Sequence, residues 1–231
     1  MDEPPADAAI NTEDGLRYWE GIQPDDNGML GGFAYISKVD LQGSRNFLAK
    51  LGIGRAGKGL RSVESALEGG AGIGRITTNL LSTLATEIDI IEPIAKFTAS
   101  LQGKDGVRTI YNCGLEAWRP EDDTKYDLVW TQWCVGHLTD RQLVEYLERC
   151  RDALEEDGVI VIKENLSTSS RDAFDEEDSS VTRYDAKFQS LFEEAGLQIV
   201  RMEVQRGFPA TKAVTLLPVK MYALRPKAKD S

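Results

Sequence analysis

The chain has 231 residues, 41% of them hydrophobic, enough for one large domain with a substantial core. Twenty-seven basic against thirty-eight acidic side chains leave a net charge of −11, so there is no general basic field to hold nucleic acid or an anionic membrane surface. The longest clean apolar run, Val159-Ile160-Val161-Ile162, falls far short of the roughly twenty residues of a membrane span, and three widely spaced cysteines, Cys113, Cys134 and Cys150, support neither a disulfide framework nor a zinc site.

Residues 1–14 hold five acids and two prolines and read as a disordered acidic tail, without the basic-then-apolar pattern of a secretory signal. An intracellular protein with free thiols and no metal is expected. A single domain is expected over 15–226, with a helical extension over 15–60. From 16 to 33, Tyr18, Trp19, Met29, Leu30 and Phe33 lie among Gly21, Gly28, Gly31 and Gly32. That mixture suggests a short helix and a glycine-hinged loop, either a lid or an arm packing its aromatics on the core.

Beyond this point the pattern is regular. Residues 62–67 read as a strand entering Glu68-Gly69-Gly70-Ala71-Gly72-Ile73-Gly74, after which Ile76, Leu80, Leu81 and Leu84 recur at helical spacing. Residues 87–92 form a second strand, 93–101 a short helix, 107–112 a third strand and 126–130 a fourth. Leu143, Leu147, Cys150 and Leu154 mark the stripe of an amphipathic helix, and 159–163 is a fully buried fifth strand. Phe188, Leu191, Phe192 and Ala195 mark another helix, ended by Gly196. The segments 197–204 and 219–224 are then strands separated only by a loop, which should pair antiparallel. The implied class is α/β: a mostly parallel sheet covered on both faces, with its ligand at the carboxyl ends of the strands.

The glycine turn carries the first chemical signal. The third glycine of the dinucleotide fingerprint G-x-G-x-x-G would fall on Arg75, which argues against NAD. Gly70 and Gly72 let the backbone approach a nucleoside, Arg75 offers a fork for a carboxylate, and Glu92 closes the second strand where a carboxylate can accept from ribose hydroxyls. Together these suit S-adenosylmethionine, although a tight turn with a solvated acid at the second strand's end also satisfies the pattern.

More specific are Gly28-Met29-Leu30-Gly31-Gly32, Gly70-Ala71-Gly72-Ile73-Gly74-Arg75-Ile76-Thr77, Trp130-Thr131-Gln132-Trp133 with Gly136-His137-Leu138-Thr139-Asp140, Lys163-Glu164-Asn165, and Asp178-Ser179-Ser180-Val181. Over 16–226 the chain resembles the alpha-N-terminal protein methyltransferases. The resemblance implies a class I Rossmann-like fold with a seven-stranded sheet, an antiparallel C-terminal hairpin and an N-terminal helical lid. It implies methylation, from S-adenosylmethionine with S-adenosylhomocysteine as product, of the free α-amine of proteins beginning X-Pro-Lys or X-Pro-Arg, ribosomal proteins among them. The implied setting is the cytoplasm, with the nucleus left open.

Carried over residue by residue, the resemblance implies cofactor contacts from Gly70, Gly72, Arg75, Glu92, Leu115, Glu116 and Gln132. Around the substrate it implies Trp19, Leu30, Ile36, Trp133, Asp175 and Asp178, with His137, Asp178 and Asn165 at the reacting amine. The chain has Glu68-Gly69 where the family often has Asp-Cys, and Glu92 where it often has Asp. Near Leu217, where some members carry an aromatic residue, it has leucine and a longer loop over 207–218.

An α-amine with a pKa near about 8 is roughly a tenth neutral at pH 7, so a mild proton acceptor suffices. His137, the only histidine, is the candidate. The acidic run Asp172, Asp175, Glu176, Glu177 and Asp178 is a solvated loop or a sink for the cation at substrate position three. Two other readings stand beside this one: a small-molecule N- or O-methyltransferase on the same fold, and a non-catalytic cofactor-binding regulatory subunit. Base methylation is disfavoured, since Glu164-Asn165-Leu166-Ser167 lacks the Asn-Pro-Pro-aromatic pattern.

Overall fold

A computed structural model describes residues 4–57, 59–209 and 216–228. Three helices lead the chain: α1 (Thr12–Gly21), α2 (Asp26–Met29) and α3 (Ser37–Ala49). The alternating part follows as β1 (Val63–Gly69), α4 (Arg75–Asn79), β2 (Ala85–Ile91), α5 (Ala95–Thr98), β3 (Val107–Tyr111), β4 (Tyr126–Gln132), α6 (Asp140–Asp152) and β5 (Leu154–Asn165). A small hairpin of β6 (Ala173–Asp175) and β7 (Ser180–Thr182) precedes α7 (Asp185–Glu194), β8 (Leu197–Val204) and β9 (Val219–Pro226).

The seven-stranded sheet has the order β3-β2-β1-β4-β5-β9-β8. The first five strands are parallel, and β9 runs antiparallel to both β5 and β8. Strand order reverses between β1 and β4, so their carboxyl ends open a crevice there. Apolar residues on both faces of β5 explain its unbroken run: Ile160 and Ile162 pack with Phe188 and Tyr222, while Val159 and Val161 pack with Phe47 and Trp130. Helix α6 is started by a capping box in which the Thr139 and Gln142 side chains each accept from the other's backbone N–H.

Residues 4–14 depart from the disordered tail expected of them. Ala6–Ala9 form a 3-10 turn, and Asn11 caps α1 by accepting from the N–H groups of Glu13 and Asp14. Asp7 Oδ2 accepts from Asp140 N at 2.9 Å, and Asn11 N donates to Ser179 Oγ at 2.8 Å. The acids and the cap thus serve specific helix ends, which composition alone does not distinguish from solvation. Two further differences are local. The helix expected to run on through Leu84 stops at Asn79, whose side chain donates back to Arg75 O at 2.8 Å. Leu154 belongs to β5 rather than to the α6 stripe.

Candidate active site

Between the ends of β1, β2, β4 and the helix α1 lies a cavity with an empty volume of about 1210 Å³ counted to its mouth. Its floor is the turn after β1. Gly70, Gly72 and Gly74 all have positive φ, 68°, 54° and 77°, which glycine adopts without strain. A side chain would also not fit: a Cβ on Gly70 would lie 2.4 Å from Cys134 Sγ, and one on Gly72 2.7 Å from Met29 Sδ. Glu92, buried at the end of β2, braces this turn by accepting from Gly72 N at 2.8 Å and from Ile94 N at 2.9 Å. Burial raises its carboxyl above the usual range.

The amino end of α4 forms one wall. Arg75 is buried, with Nη1 2.9 Å from Asp40 of α3 and its guanidinium 5.5 Å from the centre of the Trp133 ring. Gln132, the last residue of β4, donates from Nε2 to both oxygens of Asp40 at 3.0 and 3.1 Å. Glu68 Oε2 accepts from Thr77 Oγ1 at 2.5 Å, and burial pushes the Glu68 carboxyl up to about 8.

The other wall is built around His137. It sits in the 3-10 turn Val135–His137 between β4 and α6, and two buried side chains hold that turn from opposite ends. Glu164 Oε1 accepts from Cys134 N and Val135 N at 2.8 and 3.0 Å, with its carboxyl pushed by burial to about 7. Arg183, fully buried, donates to Val135 O, Leu138 O and Asp140 Oδ1 at 3.0, 2.6 and 2.8 Å. His137 Nε2 accepts from Trp19 Nε1 at 2.9 Å and stands 4.0 Å from Asp178 Oδ2. Burial lowers the imidazole below its ordinary value against the pull of Asp178, so the ring is neutral at pH 7. Asp178 Oδ1 and Trp133 Nε1 are buried without a hydrogen-bond partner among the described residues.

Of the residues expected at the site, Gly70, Gly72, Arg75, Glu92, Leu115, Glu116, Gln132, Trp19, Trp133 and His137 line the cavity. Asp178 stands behind His137. Leu30 and Ile36 are buried in the core instead of lining the wall, and Asp175 is exposed on β6 with Oδ1 accepting from Glu177 N. Asn165 is half-buried at the end of β5 opposite Val219 and does not line the cavity either. Leu217 is exposed, and of the loop expected at 207–218 the stretch 210–215 lies outside the described residues.

Sequence reasoning did not select Asp40, Cys134, Met29 or Ser179. Asp40 has a legible signal: it shares a helix face with Ser44, Phe47 and Leu48, a charge on an otherwise buried stripe.

The chain matches the family model described as AdoMet dependent proline di-methyltransferase over residues 7–225. It belongs to that family. Among relatives, "Alpha N-terminal protein methyltransferase 1" of Schizosaccharomyces pombe is 46% identical over 217 residues, 92% of this chain and 95% of its own. "N-terminal Xaa-Pro-Lys N-methyltransferase 1" of Homo sapiens is 40% identical over 83% of this chain and 86% of its own. A solved SAM-dependent methyltransferase from Leishmania major superposes with a TM-score of 0.82 at 36% identity, covering 93% of this chain and 82% of that one.

The cavity of this AdoMet-dependent methyltransferase suits its cofactor. Gly69, Gly70 and Gly72 offer backbone without side chains beneath a nucleoside, and each Glu92 oxygen has a second lone pair free for a hydroxyl. Only Nη1 of Arg75 has a protein partner among the described residues, which leaves donors of its fork for a carboxylate. Among those residues no helix is long and apolar enough to cross a membrane, and no cluster of metal-ligating side chains is found.

Proposed function

We propose that this methyltransferase acts on the free α-amine of proteins beginning Xaa-Pro-Lys or Xaa-Pro-Arg, ribosomal proteins with such ends among them, in the cytoplasm and the nucleus. The observation that carries this reading is His137, a proton acceptor lining a cavity whose far side is the cofactor turn, with the Asp178 carboxylate 4.0 Å from its Nε2. The similarity to relatives with Xaa-Pro-Lys in their names supports the substrate class.

When bound, the cofactor supplies an electrophilic methyl group on a sulfonium. The protein's part is to position, desolvate and deprotonate. Gly70, Gly72, Glu92, Leu115 and Glu116 hold the nucleoside end, while Arg75 and Gln132 hold the amino-acid end. Trp133 offers a flat apolar wall to the substrate's proline. A neutral His137 takes the proton from the substrate ammonium at Nε2, where the ammonium takes the place of the Trp19 Nε1 donor. Asp178 stabilises the resulting imidazolium or takes the proton itself. Because an α-amine titrates near about 8, such mild acceptors suffice, whereas a lysine amine near about 10.4 requires much more. Asp175 and its acidic neighbours on the β6–β7 hairpin attract the cation at position three, from outside the cavity.

The test is incubation with labelled S-adenosylmethionine and peptides beginning Ser-Pro-Lys, Ser-Ala-Lys and acetyl-Ser-Pro-Lys, read by mass. The expected result is methyl addition to the first peptide, much less to the second and none to the acetylated one. Equal labelling of the acetylated peptide, or labelling of none, refutes the proposal.

A further inference from the structure

Directly behind the Arg75 and Gln132 wall lies a polar cluster sealed from solvent. Asp40 of α3 and Lys163 of β5 are both fully buried, with Nζ and Oδ1 2.5 Å apart. Lys163 Nζ also donates to Asp40 O, Ser44 Oγ and Gln205 Oε1 at 3.1, 3.0 and 3.0 Å. The Asp40 carboxylate is thus shared by Lys163, Arg75 and the Gln132 amide. Two cations face one anion. Glu68 also feels the Arg75 charge, but burial pushes its carboxyl up to about 8, so at neutral pH it does not supply the missing negative charge.

A charge sealed from water without a counter-charge is unfavourable, and an anion arriving at Arg75 relieves it. Lys163 has a second effect through geometry. By occupying Oδ1 of Asp40 it limits the pull of that carboxylate on Arg75, whose Nη2 and Nε have no protein partner among the described residues. We propose that the buried Asp40–Lys163 couple is the positioning element that readies Arg75 and Gln132 for a carboxylate. It thereby gives the enzyme its preference for S-adenosylmethionine over the same sulfonium lacking the carboxylate. The inference rests on the assignment of Arg75 to the cofactor's amino-acid end.

Calorimetric titration of purified protein with S-adenosylmethionine and with decarboxylated S-adenosylmethionine tests it without any turnover. Lys163→Gln leaves Asp40 paired with Arg75, so no charge is stranded. It should weaken S-adenosylmethionine about tenfold and leave the decarboxylated ligand within about twofold. Lys163→Arg should recover the preference. Equal weakening of both ligands by Lys163→Gln, unchanged S-adenosylmethionine affinity in that variant, or a preference that Lys163→Arg does not recover overturns the proposal. Arg75→Ala, measured in parallel, separates the two layers. An intact preference there refutes the Arg75 assignment, while a lost preference there with an intact one in Lys163→Gln refutes the role of Lys163.

Discussion

Asp178→Asn should make the protein more stable and less active at once. The side chain is about one quarter exposed, but its Oδ1 is buried with no partner among the described residues, and its Oδ2 lies 4.0 Å from His137 Nε2, too far for a hydrogen bond. A buried acceptor without a partner costs about 1–3 kcal/mol, more when charged, and the isosteric amide is cheaper to desolvate. With partial exposure, the expected gain is about 1 kcal/mol, which for a chain of this size is a rise of roughly 2–4 °C in Tm. The proposed function gives the Asp178 carboxylate, beside His137, a share in taking up the substrate's proton. General-base assistance contributes roughly a hundred- to ten-thousandfold. Since His137 shares the task, kcat for a Ser-Pro-Lys peptide should fall near the low end, about a hundredfold. Differential scanning calorimetry of the ligand-free protein and initial rates at saturating cofactor give both numbers. A lower Tm combined with an unchanged kcat would show that Asp178 is a structural carboxylate and would refute the reasoning.

Three other perturbations have definite signs. His137→Ala should lose part of kcat at pH 7 and recover part of it toward pH 9, because the substrate amine titrates near about 8 and solution then supplies it neutral; full activity across pH 6–9 makes His137 a bystander. Glu68 is raised by burial to about 8, above its unfolded value, so its contribution to stability is complete below about pH 4.5 and is lost as pH rises through 8. Glu68→Gln, which keeps the acceptor for Thr77, should flatten the fall in stability between pH 5 and 8 in denaturant titrations, and an unchanged slope places the titration elsewhere. Asp175→Asn should raise KM for a Ser-Pro-Lys peptide severalfold through weaker attraction of the lysine, with cofactor Kd unchanged; kinetics equal to wild type would make the acidic run a solvated loop.

The sheet was legible because β5, β8 and β9 carry patterns that local chemistry enforces. A strand covered on both faces must be apolar throughout, and two strands without a crossover helix must run antiparallel. The glycine turn was legible for the same reason, since Gly70 and Gly72 hold backbone angles that other residues reach only with strain. What escaped depends on distant partners. Asp7 caps a helix 133 positions away, and Asn11 meets Ser179 across 168. Asp40 binds Lys163, the charged end of the run expected to be a fully buried strand, but nothing local in the sequence pairs the two across 123 positions. Leu30, Ile36 and Asn165 came from resemblance alone, and in this chain core packing takes the first two while the strand end holds the third apart from the cavity.

Two residues beside the cavity that are not glycine, Trp133 and Ser179, adopt positive φ, 55° and 56°. Each such conformation costs about 1–2 kcal/mol, so together they consume an appreciable fraction of the roughly 5–15 kcal/mol that keeps an ordinary domain folded. Neither turn has a local reason to form. Trp133 is held by its N–H on Lys163 O at 3.1 Å, a contact that exists only once β4 and β5 are side by side. Ser179 is held by Asn11 from the opposite end of the chain. The catalytic edge therefore depends on strands and a chain end that must already be in place, and amide hydrogen exchange should show it opening more readily than the sheet that supports it.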